Sequence, residues 1–187
     1  MPQMKKLYIV KKSPIHGRGV FAKTDIKKGD RIIEYLGEKI SWKEANRRYQ
    51  DIDGHSHTVF FSLDDKYVLD GAVNGNEAKF INHSCSPNCK AKNFDGHIFI
   101  QAKKDISVGK ELFYDYKLEM DAEITEEYLE KYKCYCGSKK CRGTQLDLKA
   151  IKDKAKEKKK EKEKGKEKEK GKKKEKKKDN KETSKKN

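Results

Sequence analysis

Residues 80–89 read Phe-Ile-Asn-His-Ser-Cys-Ser-Pro-Asn-Cys, and no other stretch limits the fold of this chain as strictly. They carry two amides, an imidazole, two thiols and a proline beside one apolar pair. A helix face needs apolar residues three and four apart, and a half-buried strand needs alternation. This stretch offers neither. Asn and Ser ahead of Pro are turn formers, so it reads as a turn that displays polar groups. Taken alone, a surface loop with a fortuitous thiol looks the same.

The surrounding chain has the pattern of many short strands. Residues 7–10 and 20–22 are apolar runs on either side of Ser13-Pro14 and Gly17-Arg18-Gly19. Glycines lack a Cβ and let backbone approach a ligand closely, although a hairpin turn uses them too. Residues 31–38 alternate and end at a glycine, which predicts one strand. Ser41 with Glu44 is a capping box that opens a helix running toward Tyr49. Residues 57–63 and 67–69 form a hairpin by pattern around Asp64-Asp65-Lys66, and Asp95-Gly96 is the strongest hairpin signal of all. Thr125-Glu126-Glu127 opens a short helix with an acidic first turn. There is no alternation of strand and helix of the kind that builds a parallel sheet.

Charge divides the chain. Residues 149–187 hold 21 Lys and 9 Asp or Glu, a net +12 of the total +16. This tail has no aromatic residue and almost nothing aliphatic after Ile151, so burial cannot offset the entropy of ordering it, and disorder is expected. One long charged helix is the alternative, since Lys-Glu spacings of three and four support helices, with Gly165 and Gly171 opposing it. No apolar segment approaches the ~20 residues of a membrane span. The residues after Met1 lack the pattern of a secretory signal. Five cysteines in such a chain favour metal or thiol chemistry over disulfides.

Cys134, Cys136 and Cys141 have the character of metal ligands, with Gly137 and Gly143 leaving the backbone free to wrap. Structural zinc takes four Cys or His ligands in a tetrahedron. On spacing alone Cys85, Cys89 or a His would each serve as the fourth.

Gly17-Arg18-Gly19, residues 80–89, Glu111-Leu112-Phe113-Tyr114-Asp115-Tyr116 and the C-terminal cysteines occur in the order found in the SET-domain protein lysine methyltransferases with a post-SET zinc motif. The chain resembles that family over roughly its first 148 residues. The resemblance implies a mostly β SET fold with minor helix. Its short sheets form a pseudoknot, a topology that sequence rules alone do not propose. It assigns residues 6–120 to the SET domain, 121–148 to a post-SET zinc flap, and 149–187 to the disordered lysine-rich tail.

It also implies residue roles. S-adenosylmethionine is met by His16, Gly17, Arg18, Gly19, Phe80, Asn82 and His83, and Cys85 completes the zinc site with Cys134, Cys136 and Cys141, leaving Cys89 apart. Tyr116 orients the reacting centre and Tyr35 lines the lysine channel. Tyr114 stands at a switch position where a hydroxyl and its water limit room, which favours mono- or dimethylation. As isolated residues, tyrosines in strands are more simply read as packing. Lys79 stands where many relatives carry Arg, and Val59 where many carry a channel tyrosine. Phe60 or Phe61 could fill that space but could not replace a hydroxyl.

The implied substrate is the basic tail of a histone or another chromatin-like protein. The tail itself reads equally as a solvated extension or as a nucleic-acid contact. Its lysines, tethered near a lysine-modifying site, also make automethylation an expectation. The setting is intracellular, nuclear or chromosomal in a eukaryote and cytoplasmic or a secreted effector otherwise. Two other classes fit parts of the sequence: a catalytically weak reader of lysine tails, which Val59 favours, and a DNA-compacting protein acting through the tail.

Overall fold

The computed structural model describes residues 6–49, 60–119, 123–157 and 160. Among these, the residues within Met1–Lys117 and Ile124–Gln145 form one compact unit, and those within Leu118–Glu123 and Leu146–Asn187 a second. In chain order the first unit contains β1 (Tyr8–Lys12), β2 (Arg18–Ala22), β3 (Arg31–Glu34), β4 (Glu38–Ser41) and α1 (Trp42–Tyr49). There follow β5 (Phe60–Ser62), β6 (Tyr67–Asp70), a 3-10 turn at Glu77–Phe80, β7 (Asn82–His83), β8 (Cys89–Phe94), β9 (His97–Ala102), β10 (Phe113–Tyr114) and α2 (Glu126–Lys131).

Four small sheets result. β1 and β2 pair antiparallel, β9 lies between β3 and β8, β6 lies between β4 and β5, and β7 pairs with β10. Three hairpins follow local turn chemistry. Gly17 has φ +49° in the β1–β2 connection, where its carbonyl accepts the Ser13 N–H at 2.9 Å. Asp95 and Gly96 both have positive φ between β8 and β9, as a two-residue hairpin of this twist requires. The Asp64 carboxylate accepts the N–H groups of Lys66 and Tyr67 between β5 and β6, a side chain standing in for a backbone turn.

The single strand expected over residues 31–38 is two. β3 joins β9, whereas β4 joins β6 in a different sheet. The chain changes sheet at Gly37, where a Cβ would lie 2.6 Å from the carbonyl oxygen of Asp70. The capping box is half formed. Ser41 Oγ accepts the Glu44 N–H at 3.2 Å, but the Glu44 carboxylate turns to Arg47 and Arg48 instead of returning to Ser41. Two guanidinium partners outcompete one backbone N–H.

The parallel β7–β10 pair joins segments about thirty residues apart, Asn82 opposite Phe113 and His83 opposite Tyr114. Val20, Ile26, Ile81, Ile98, Ile100 and Leu112 are fully buried in the main core, and Ile81 and Leu112 directly precede the two paired strands. Truncating Ile100 to alanine is expected to cost about 2–5 kcal/mol, read by denaturant unfolding. A loss under about 1 kcal/mol would place Ile100 outside the core.

In the second unit, residues 148–157 are helical. The Asp147 carboxylate accepts the Ala150 N–H at 3.0 Å as an N-cap, and Leu146 and Ile151 are buried. Two apolar anchors and a cap hold a short helix that charge composition alone does not reveal. Residues 161–187 lie outside the described residues, as does Val59. No helix among the described residues is long and apolar enough to cross a membrane.

Candidate active site and cysteine cluster

Asn82 ties the central turn to the two strands beside it. Its amide donates to the carbonyl oxygens of His16 at 3.2 Å and Arg18 at 3.0 Å, and to Glu111 Oε1 at 3.0 Å. Glu111 is buried and accepts the Ser13 hydroxyl with its other oxygen. Gly19 makes room for this carboxylate, since a Cβ there would collide with it. Arg18 lies with its guanidinium 4.1 Å from the Phe80 ring centre. The His16–Gly19 stretch is thus gathered against Phe80 and Asn82, with His83 the next residue along β7. Backbone carbonyls, an aromatic face and a cation meet around one amide.

On the other side of the parallel pair lies a run of rings. Tyr35 is 5.4 Å from Phe61, Phe61 is 6.4 Å from Tyr114, Tyr114 is 4.9 Å from Tyr116, and Tyr116 is 5.3 Å from His83. Burial pushes the hydroxyls of Tyr35, Tyr114 and Tyr116 well above the ordinary tyrosine range, so all three are neutral phenols. Tyr116 donates its hydroxyl to the Ile81 carbonyl at 2.9 Å. Aromatic faces attract a cation, and the same burial disfavours keeping it charged. Such a surface suits an amine that must arrive as a cation and react as a base.

His83 connects this site to the cysteines. Burial pushes its pKa down to about 4, so the imidazole is neutral. Its Nδ1 accepts the Tyr116 N–H at 3.1 Å, which leaves the proton on Nε2, 3.4 Å from Cys85 Sγ. One ring therefore receives a bond from the tyrosine strand and gives one to the Cys85 sulfur.

The sulfurs of Cys85, Cys134, Cys136 and Cys141 lie within 4.8 Å of one another, Cys85 and Cys134 at 3.7 Å. Zinc with four sulfurs at about 2.3 Å has sulfur–sulfur edges of about 3.8 Å, so the donor set fits a structural zinc ion. Gly137 and Gly143 take positive φ and bend the segment around the sulfurs. N–H groups of Cys85, Arg142 and Gly143 point at the thiols of Cys136, Cys85 and Cys141 at 3.4–3.5 Å. Burial opposes the Cys136 thiolate, but the Cys85 and Ser138 N–H groups and neighbouring thiols bring its pKa down to about 6. Cys89 stands apart in the core, where burial pushes its thiol up to about 12. Of the fourth ligands that spacing left open, the fold brings Cys85 to the other three.

Four further residues bear on the site. Phe61, weighed in the sequence only as a substitute for a missing ring, bridges Tyr35 and Tyr114, while Phe60 packs against Tyr49. Glu111 orients Asn82, and Asp115 pairs with Arg142. No local sign marks Glu111, which follows Lys110 and reads as an ordinary charged pair, or Phe61 over Phe60.

A fold of small sheets around a parallel two-residue pair, with an amide-centred cradle, a ring-lined surface and a four-cysteine cluster, defines a recognisable class. The family description SET domain matches residues 17–117, more than half of the chain, and the chain belongs to the SET-domain family. It is 43% identical over 137 residues to histone-lysine N-methyltransferase trithorax of Drosophila virilis, covering 70% of this chain and 3% of that protein. It is 40% identical over 137 residues to the H3 lysine-4 specific histone-lysine N-methyltransferase of Schizosaccharomyces pombe, covering 70% of this chain and 14% of that one. Both relatives are therefore much longer than the region they share with it. Among solved structures, a chain of ctPRC2 in an autoinhibited conformation bound to S-adenosylmethionine superposes with a TM-score of 0.55 at 33% identity, over 60% of this chain and 15% of that one.

Proposed function

We propose that this chain is an S-adenosylmethionine-dependent protein lysine N-methyltransferase acting on a histone tail. The observation that carries the reading is the ring-lined surface from Tyr35 through Phe61 and Tyr114 to Tyr116, beside the Asn82 cradle. The names of its relatives and the cofactor of its structural neighbour support it. Residues 6–120 are the SET domain, 121–148 the post-SET region and the remainder a basic tail.

S-adenosylmethionine, bound at His16–Gly19 and Phe80–His83, supplies a methyl group on a sulfonium. Lysine in water has a pKa of about 10.4 and must lose its proton before its lone pair can attack. Tyr35, Phe61, Tyr114 and Tyr116 lower that cost by desolvating the ammonium while their faces hold it in line. With the ammonium proton released to solvent, the ring surface would hold the Nζ lone pair in line with the methyl carbon that the bound cofactor would present. Tyr116, a neutral phenol fixed by the Ile81 carbonyl, orients the reacting groups. Cys85, Cys134, Cys136 and Cys141 hold zinc, which fastens the C-terminal segment.

The Tyr114 hydroxyl limits the space for added methyl groups, so mono- and dimethyl-lysine are the expected products. Incubation with S-adenosylmethionine and mixed histones, followed by mass spectrometry, tests the assignment. One- and two-methyl increments are expected on wild-type product, and Tyr114→Phe shifts the distribution toward three. An unchanged distribution would remove Tyr114 from product control. Absence of any increment, with cofactor and zinc bound, would count against histones as substrate. Increments on this chain's own lysines would establish automethylation, and a salt-dependent shift of duplex DNA lost on deleting residues 150–187 would give the tail a nucleic-acid role. In a eukaryote this activity belongs to the nucleus or chromatin.

A further inference from the structure

We propose that the Asp115–Arg142 ion pair is a latch that orients the cysteine-bearing segment against the tyrosine strand, independently of the metal. The inference rests on the methyltransferase reading above. Asp115 stands between Tyr114 and Tyr116, whose rings contact each other at 4.9 Å. Arg142 follows Cys141 directly. Its Nη1 donates to Asp115 Oδ2 at 2.8 Å and its Nη2 to Oδ1 at 2.7 Å. Nη2 also donates to the Gln145 carbonyl at 3.2 Å, and Asp115 Oδ1 accepts the Lys117 N–H at 3.2 Å. Both partners are thus held from their own sides before they meet.

The segment is attached on the sides of two different strands, and Ser138 Oγ also donates to Ser86 Oγ at 2.8 Å near the β7 side. The cysteine cluster reaches the β7 side of the parallel pair through Cys85, two residues beyond His83. The ion pair reaches the β10 side through Asp115, next to Tyr114. A tetrahedral centre anchors the segment at one point, and a second attachment is needed to fix its direction. A bidentate guanidinium–carboxylate fork fixes angle as well as distance, which a point charge does not. The side chains are 31% and 21% exposed, so water screens this pair less than an ordinary surface pair. The result is a segment held square to the residue that orients the reaction.

Arg142→Ala, Arg142→Lys and Asp115→Asn in the full chain, purified with zinc, test the latch. The readings are bound zinc, deuterium uptake over residues 134–145, and kcat and KM on a histone H3 tail peptide. Zinc content is expected to stay at wild-type level while uptake quickens and kcat/KM falls about 10- to 100-fold. Arg142→Lys should recover only part, because lysine keeps the charge and loses the fork. Wild-type uptake in Arg142→Ala would overturn the proposal, and so would loss of zinc in every variant, which would make the pair part of the metal site. Uptake needs no turnover. A wild-type chain that binds S-adenosylmethionine and zinc but methylates no peptide would fail the functional reading, while faster uptake in its variants would still uphold the latch.

Discussion

Tyr116→Phe is expected to lower methyl transfer about 100- to 1,000-fold while the chain stays folded. The phenylalanine ring keeps the contacts that Tyr116 makes with Tyr114 and His83 at 4.9 and 5.3 Å. Its backbone N–H still reaches His83 Nδ1, so the bond from the strand to the imidazole survives. What disappears is the hydroxyl, together with its bond to the Ile81 carbonyl. A carbonyl left without its donor costs about 1–3 kcal/mol of stability. Initial rates measured alongside thermal unfolding separate the two effects. A rate loss of only a few fold, in protein with an ordinary melting transition, would show that the hydroxyl is not the orienting group.

Removing the metal is expected to have a comparable effect by another route. Cys85→Ser, or chelation of the wild-type chain, should reduce activity by about 100-fold or more, since structural zinc contributes directly to folding. Cys85 lies two residues beyond β7, which carries Asn82 and His83, so its release is expected to disturb the amide cradle and the imidazole as well as the cysteine segment. Cys89→Ala provides the contrast. It removes a buried core thiol outside the cluster and should leave zinc stoichiometry unchanged, with a modest loss of stability. Zinc release to a chromogenic chelator, measured with activity, distinguishes the variants. Full zinc content and full activity in Cys85→Ser would exclude Cys85 as a required ligand.

Local chemistry was readable from the sequence where a few adjacent residues decide it. Asp95-Gly96 made its hairpin, Thr125 capped α2 through its bond to the Tyr128 N–H, and Ser41 capped α1. The strand over residues 31–38 was misread because periodicity records which side chains are buried and not which sheet buries them. The β7–β10 pair has two residues on each side, too few for any period, and its partners are distant in sequence. The identity of the fourth cysteine follows from that pairing, as does the meeting of Asn82 with His16 and Arg18. Resemblance to the family supplied these long-range contacts; the residues alone did not. Helix 148–157 was hidden for a different reason: Leu146 and Ile151 are too few to register against so many lysines.

The pairing of β7 with β10 also orders events in time. β8 and β9 close around a two-residue turn, whereas β7 and β10 close a loop of about thirty residues, so the parallel pair is expected to form later than the hairpin. Asn82, His83 and Tyr116 are expected to acquire their partners in that later step. On warming, the part expected to loosen first is the cysteine segment, which is held to β7 and β10 through thiols, hydroxyls and one ion pair. Activity is therefore expected to vanish at temperatures where circular dichroism still reports intact sheets, so heat would silence this protein before it unfolds it.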